Sequence, residues 1–234
     1  MPLTEAINFY KVIPEKYLKP VATYPRYADL KLELPIRAVI AGSSGTGKSN
    51  TVMNVIHEMD CFNRFYLFIA DKHEALYSHL IDYVVKNYGK NAISVSDDIN
   101  AIPPINKIDP SKNNLFIIDD LINEKLKTPH VLNLFTNGRK QNASILYISQ
   151  DFFKLNNTVR KNSTIVILTK FNRQDDLKRI LDQYRQHISP AGMLNLYKYA
   201  ISKGSMNYFM IDTVNEKWRY RANFNPIPHS SSIQ

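Results

Sequence analysis

One cysteine, seven glycines and no long apolar run define what this 234-residue chain lacks. A single thiol, Cys61, excludes an internal disulfide and any cysteine-based metal cluster, so a reducing compartment is expected and Cys61 reads as a core thiol. Apolar stretches last only a few residues, as at 65–70, against the roughly eighteen that a spanning helix needs. Met1-Pro2-Leu3-Thr4-Glu5 has no basic n-region, so neither a membrane span nor a secretory leader is expected. Internal repeats are missing, and only Ser230-Ser231-Ser232 reads as a flexible stretch. The six histidines, at 57, 73, 79, 130, 187 and 229, never join carboxylates or cysteine at metal-ligand spacing and read as structural or surface residues.

What is present is a core-former. Hydrophobic residues make up 44% and charged residues 22%, which excludes whole-chain disorder and fibrous architectures. Thirty Lys and Arg against 21 Asp and Glu leave a charge of +9, which attracts polyanions without identifying nucleic acid. Pro2, Pro14, Pro20, Pro25 and Pro35 are interleaved with Tyr10, Tyr17, Tyr24 and Tyr27, predicting an extended N-terminal arm over 1–35 rather than long helices. From Ile36 the pattern changes. Apolar runs at 37–41, 65–69, 115–118, 145–148 and 164–168 read as buried parallel strands.

Helical spacing lies between them: Val52, Val55, Ile56 and Met59, then Leu76, Leu80, Val84 and Tyr88 ahead of Gly89. Thr128 is placed to cap a helix that has Pro129 at its first position and Gly138 beyond its end. Leu177, Ile180, Leu181 and Tyr184 suit another helix, and Ser189-Pro190 opens one that Gly204 closes. Strands joined by helical crossovers predict a doubly wound α/β sheet with helices on both faces. The proline-rich stretch 97–113 reads as a long loop of a kind that is often functional, and 208–213 with 217–222 as a C-terminal β-hairpin. The expected organisation is an arm to 35, a core over 36–205, a hairpin over 206–226 and a flexible tail over 227–234.

Three of the seven glycines fall in one window, Gly42-Ser43-Ser44-Gly45-Thr46-Gly47-Lys48-Ser49. This matches the phosphate-binding loop pattern, placed directly after an expected strand and opening an expected helix. Consecutive backbone N–H groups and the helix N-terminus bind anionic phosphates, and bulkier residues at the glycines would block the approach. Gly42, Ser43, Ser44, Gly45, Thr46, Gly47, Lys48, Ser49 and the following Asn50 are the candidate nucleotide-binding residues. Lys48 is expected to bridge the β- and γ-phosphates, and the Ser49 hydroxyl to ligate Mg²⁺. The strand Leu115-Phe116-Ile117-Ile118 ends in Asp119-Asp120. Asp119 is expected beside Ser49 on the metal side, and Asp120 to orient or deprotonate the attacking water. A further strand ends in Ser149-Gln150, where Gln150 can sense a γ-phosphate.

With these motifs in view, residues 36–184 resemble the packaging ATPases of the FtsK/HerA superfamily found in poxviruses, other large DNA viruses and virophages. The likeness rests on the phosphate loop, the acid pair written Asp-Asp rather than Asp-Glu, Asn137-Gly138-Arg139-Lys140-Gln141-Asn142, and the strand ending in Gln150, which follows Arg139 by eleven positions. The resemblance implies a RecA-like P-loop NTPase that hydrolyses ATP with Mg²⁺ and moves double-stranded DNA without sequence preference into a capsid. It implies a homo-oligomeric ring of five or six subunits, contacts with capsid or portal-vertex proteins, and a place in the host cytoplasm, at the viral factory, or in the virion. It also implies that Arg139 reaches the nucleotide of the adjacent subunit. Arg160 is a second candidate for a phosphate or subunit contact. Lys125, Lys127, Lys154, Arg160 and Lys161 are candidate DNA contacts. A nucleoside or nucleotide kinase and a nucleotide-dependent scaffold remain the rival readings, and adenine has an arm tyrosine, Trp218 or Tyr220 as possible stacking partners.

Overall fold

The computed structural model describes residues 7–17, 24–119, 121 and 129–228. Among these residues the centre is a nine-stranded sheet in the order β3-β2-β4-β5-β1-β6-β7-β8-β9. The strands are β1 (Arg37–Ala41), β2 (Arg64–Ile69), β3 (Ile93–Ser96), β4 (Asn114–Asp119), β5 (Ala143–Ser149), β6 (Ile165–Leu168), β7 (Phe209–Asp212), β8 (Tyr220–Ala222) and β9 (Asn225–Pro226). From β3 to β6 every pairing is parallel, and from β6 to β9 every pairing is antiparallel. The five expected strands are joined by β3 and by the hairpin, which extends the same sheet. β3 escapes the pattern reading because Ile93-Ser94-Val95-Ser96 is a half-exposed edge with one apolar residue in two.

Two faces follow from the period of two along each strand. Ala38 and Ile40 of β1, Leu115 and Ile117 of β4, and Leu146 and Ile148 of β5 enter one apolar cluster. Val39 and Ala41, Phe116 and Ile118, and Ile145 and Tyr147 enter the other. The first face is covered by α2 (Lys48–Met59) and α3 (Ala75–Tyr88), the second by α4 (Pro129–Asn137), α5 (Asn157–Asn162), α6 (Gln174–Tyr184) and α7 (Pro190–Ser202). With Leu67, Leu115 and Ile117 fully buried, each contributes about 1.5–3 kcal/mol by leaving water. In α3 the buried stripe is Tyr77, Leu80 and Val84, so Tyr77 replaces the expected Leu76 and Tyr88 stays largely exposed. At α7 the Ser189 hydroxyl accepts from the Gly192 N–H at 3.1 Å, with Pro190 opening the helix.

Two segments outside the regular elements also enter the core. Residues 97–113 form the crossover from the end of β3 to the start of β4, the full-length return that parallel strands require, made from two 3-10 turns instead of an α-helix. Ile102 and Ile108 are buried, so this loop closes the core. The arm is likewise packed from Tyr24 onward. Tyr24, Leu30, Leu32 and Leu34 are buried in the first cluster around a one-turn helix, α1 (Tyr27–Leu30). Arg221 holds this segment to the hairpin. Its guanidinium, fully buried, pairs with Asp212 at 3.0 Å and donates to the Leu30 carbonyl. Among the described residues no helix is long and apolar enough to cross a membrane.

Candidate nucleotide site

The site stands at the carboxyl edge of the parallel strands, where open α/β sheets bind ligands. β1 ends at Ala41 and the chain turns through the glycine loop into α2. Lys170, just past β6, accepts from the Ser43 N–H at 2.9 Å, and the Thr46 and Thr169 hydroxyls share a hydrogen bond of 2.7 Å. Gly42 lies so close to Thr169 that a Cβ would collide with its hydroxyl, and Gly47 adopts φ 87°, the left-handed region that glycine tolerates. The Lys48 ammonium donates to the Gly42 and Ser43 carbonyls at 3.0 and 2.8 Å, folding over the loop.

A cavity of about 480 Å³ joins Lys48, Ser49 and Asn50 to Asp119, at the end of β4, and Gln150, just past β5. The structure therefore brings together residues from three separate motifs. β5 lies between β1 and β4. The strand that separates the two motifs in space is thus the Gln150 strand, whereas β2, which separates them in the sequence, lies outside β4. Asp120, Lys125, Lys127 and Thr128 lie outside the described residues.

The cavity wall also holds side chains that the sequence reading missed. Tyr77, buried on α3, donates its hydroxyl to Asp119 Oδ2. Burial drives the Tyr77 phenol far above its ordinary value, the Asp119 charge adds to this, and a hydrogen bond with Ser49 opposes it. Glu74, directly before α3, faces the same place. Burial raises its carboxyl above the ordinary range, the Ser49 hydroxyl counters this by hydrogen bonding, and the charges of Asp119 and Asp71 raise it further. Asp71 and Glu74 follow the carboxyl end of β2, so ligand placement at strand ends was the signal available for them. Ser49, Asp119 and Glu74 offer only oxygen donors, which fits Mg²⁺, an ion that takes one or two carboxylates along with substrate phosphates. Among the described residues there is no cluster of three His, Cys, Asp or Glu side chains that could hold a metal without substrate.

Arg139 is elsewhere. It is exposed in the 3-10 turn Gly138–Gln141 that precedes β5, at the opposite end of the sheet from the glycine loop. Its neighbour there is Arg37, the first residue of β1, whose pKa is lowered by burial and then by the Arg139 charge. No hydrogen bond of the Arg139 side chain is found among the described residues, so it does not cap the preceding helix carbonyls. Arg160 is half-buried, not solvated, with its guanidinium 5.8 Å from the ring centres of both Phe152 and Phe153. Lys154 and Lys161 are exposed. Trp218 sits in the turn after β7, at the Arg139 end of the sheet, and Tyr220 is buried against Phe209.

No curated protein matches the chain. Among solved structures, the genome packaging NTPase B204 of Sulfolobus turreted icosahedral virus 2 in complex with ATP-gammaS is similar, with TM-score 0.52 and 14% identity over 80% of this chain and 96% of that one. Its sulfate complex gives TM-score 0.51 and 15% identity over 83% and 98%. The cytoplasmic domain of EssC gives 0.50 and 12% over 67% of this chain and 35% of that one. At these identities the likeness establishes the fold, a P-loop ATPase sheet. The family model of the poxvirus A32 protein matches residues 26–219, and the chain accordingly belongs to that family, among the packaging ATPases its motifs resemble.

Proposed function

We propose that the protein is an ATP-hydrolysing motor that moves double-stranded DNA into a viral capsid as a homo-oligomeric ring. The observation that carries this reading is the single cavity holding Lys48, Ser49, Asp119 and Gln150, with β5 inserted between β1 and β4. Water attacks the γ-phosphorus and the bond to the β–γ bridging oxygen breaks, giving ADP and inorganic phosphate. Asp120 takes the proton of the attacking water, Gln150 orients that water against the γ-phosphoryl group, and Lys48 stabilises the charge that spreads over the transferring oxygens. Ser49 and Asp119 would hold Mg²⁺, which neutralises phosphate charge when bound. Tyr77 fixes the Asp119 carboxylate through its hydroxyl.

The +9 charge supports contact with duplex phosphates, and capsid or portal proteins are the partners this reading requires. It places the protein at the site of virion assembly, in the host cytoplasm or in the virion. The test is phosphate release by purified protein with and without duplex DNA over rising salt. Stimulation by duplex that fades as salt rises supports the motor. Transfer of phosphate to a nucleoside, or turnover indifferent to any duplex at low salt, rejects it.

A further inference from the structure

Beside the phosphate cavity lies a second groove of about 540 Å³ that shares Asn50 and Met206 with it. This volume is within the range of about 300–1,000 Å³ typical of small-molecule clefts. Its walls are α2, carrying Asn50, Asn54 and Glu58, and the start of β7 with the end of β8, carrying Asn207, Tyr208 and Asn223. Both hairpin segments lie at the phosphate-loop edge, since Phe209 pairs with Leu168 and with Ala222.

We propose that this groove is the nucleoside subsite of the nucleotide and that it selects adenine over guanine, an inference that rests on the phosphate loop holding a nucleoside triphosphate. The sheet order gives the direction. Asp119 and Gln150 stand on the β4 and β5 side of β1, so the γ-phosphate end points there. The rest of the nucleotide leaves on the opposite side of β1, past Asn50, toward β6, β7 and β8, which is where the groove opens. Pocket continuity agrees, because Asn50 and Met206 line both spaces.

The groove's chemistry fits a base. Met206 is about half exposed and lies over the loop, its sulfur 2.7 Å from where a Cβ on Gly47 would stand. A thioether in that place packs against an aromatic ring. Asn54 spends one amide N–H on the Asn50 carbonyl at 2.9 Å, leaving its carboxamide oxygen and second N–H for a ligand. A carboxamide accepts from the adenine amino group while donating to N7, a pairing guanine cannot return because it presents two acceptors there. Asn207 and Asn223 bond to each other at 3.2 Å and Arg26 pairs with Glu58 at 2.7 Å, which keeps the far walls in place. Trp218 and Tyr220 are excluded as base platforms within the chain, the first by its position at the other end of the sheet and the second by burial.

The test is calorimetric binding of ATP, GTP and inorganic tripolyphosphate, each with magnesium, to the native protein and to Asn54→Leu, Met206→Ala and Lys48→Ala. Tripolyphosphate carries the charge without a nucleoside and so reports whether the loop is intact. Asn54→Leu is expected to lose about tenfold in ATP affinity and most of the preference over GTP while leaving tripolyphosphate binding unchanged, and Met206→Ala to lose several-fold for both nucleotides. Native ATP affinity in both groove variants overturns the subsite, and so does an equal loss of tripolyphosphate by Asn54→Leu, which would mean that the loop itself had been disturbed. Lys48→Ala is expected to weaken all three ligands; if it weakens none, the phosphate-loop reading fails, whatever the groove variants do.

Discussion

Mixing chains that carry Arg139→Ala with chains that carry Lys48→Ala separates an arginine acting across a subunit boundary from one acting within its own chain. Arg139 lies in the turn before β5, and Gln150 follows the other end of that strand. The seven residues of β5 span about 20 Å at roughly 3.3 Å per residue, whereas an extended arginine side chain reaches about 7 Å. Within one chain the guanidinium therefore cannot touch the phosphates at Lys48. If it serves a neighbour, each variant alone loses the charge that stabilises the transferred phosphoryl group, and turnover falls by about 10³–10⁵. In an equimolar random mixture, an interface works when an intact loop meets an intact arginine. Each condition holds for half of the positions, so about one quarter of the head-to-tail interfaces are competent. Phosphate release plotted against mixing ratio should then rise from two inactive ends to a maximum near equal proportions, at up to about a quarter of the native rate. A flat, inactive curve from rings shown by labelled subunits to have exchanged would refute the reasoning, as would full turnover by Arg139→Ala alone.

Asp120→Asn should still bind ATP with magnesium yet lose hydrolysis, and normal turnover by this variant would remove Asp120 from the chemistry. Tyr77→Phe deletes the hydroxyl that holds Asp119; about tenfold more magnesium should be needed for half-maximal turnover, with an unchanged melting curve, and an unchanged magnesium requirement would make Tyr77 a packing residue only. Arg221→Ala leaves Asp212 buried without its partner and should cost about 3–5 kcal/mol in denaturant unfolding; a loss below about 1 kcal/mol would contradict the pairing. Burial, with the Asp60 charge adding, pushes the Cys61 thiol up to about 12. The unfolded chain releases this proton from about pH 9 while the folded chain keeps it, so stability should fall as pH rises from about 9 toward 12, and thiol modification at pH 8 should be slow until denaturant is added; rapid modification of the folded protein would count against it.

Much of this protein is local chemistry and so was legible in order along the chain. The glycine loop needs residues without side chains within eight positions, and strands buried on both faces need uninterrupted apolar runs, so Gly42, Lys48, Ser49 and the strands at β1, β2, β4, β5 and β6 announce themselves. Edge strands and covered loops do not. β3 has only one face to bury, and residues 97–113 cross the sheet without the periodicity of a helix although Ile102 and Ile108 enter the core. Tyr77 and Glu74 reach Asp119 and Ser49 because α3 packs over the ends of β2 and β4, a contact spanning more than forty positions in the case of Tyr77 and Asp119 that no spacing rule encodes. Met206, Asn54 and the hairpin meet in one groove for the same reason: the strand order of the sheet decides which distant residues become neighbours. Sequence determined the glycine loop and the buried strands around it, because those depend on backbone freedom and burial of successive residues. Tertiary structure alone decided which side of β1 faces the acids, which side opens to the groove, and that Arg139 stands at the far edge of the sheet, because strand order and direction are set by packing across the whole chain.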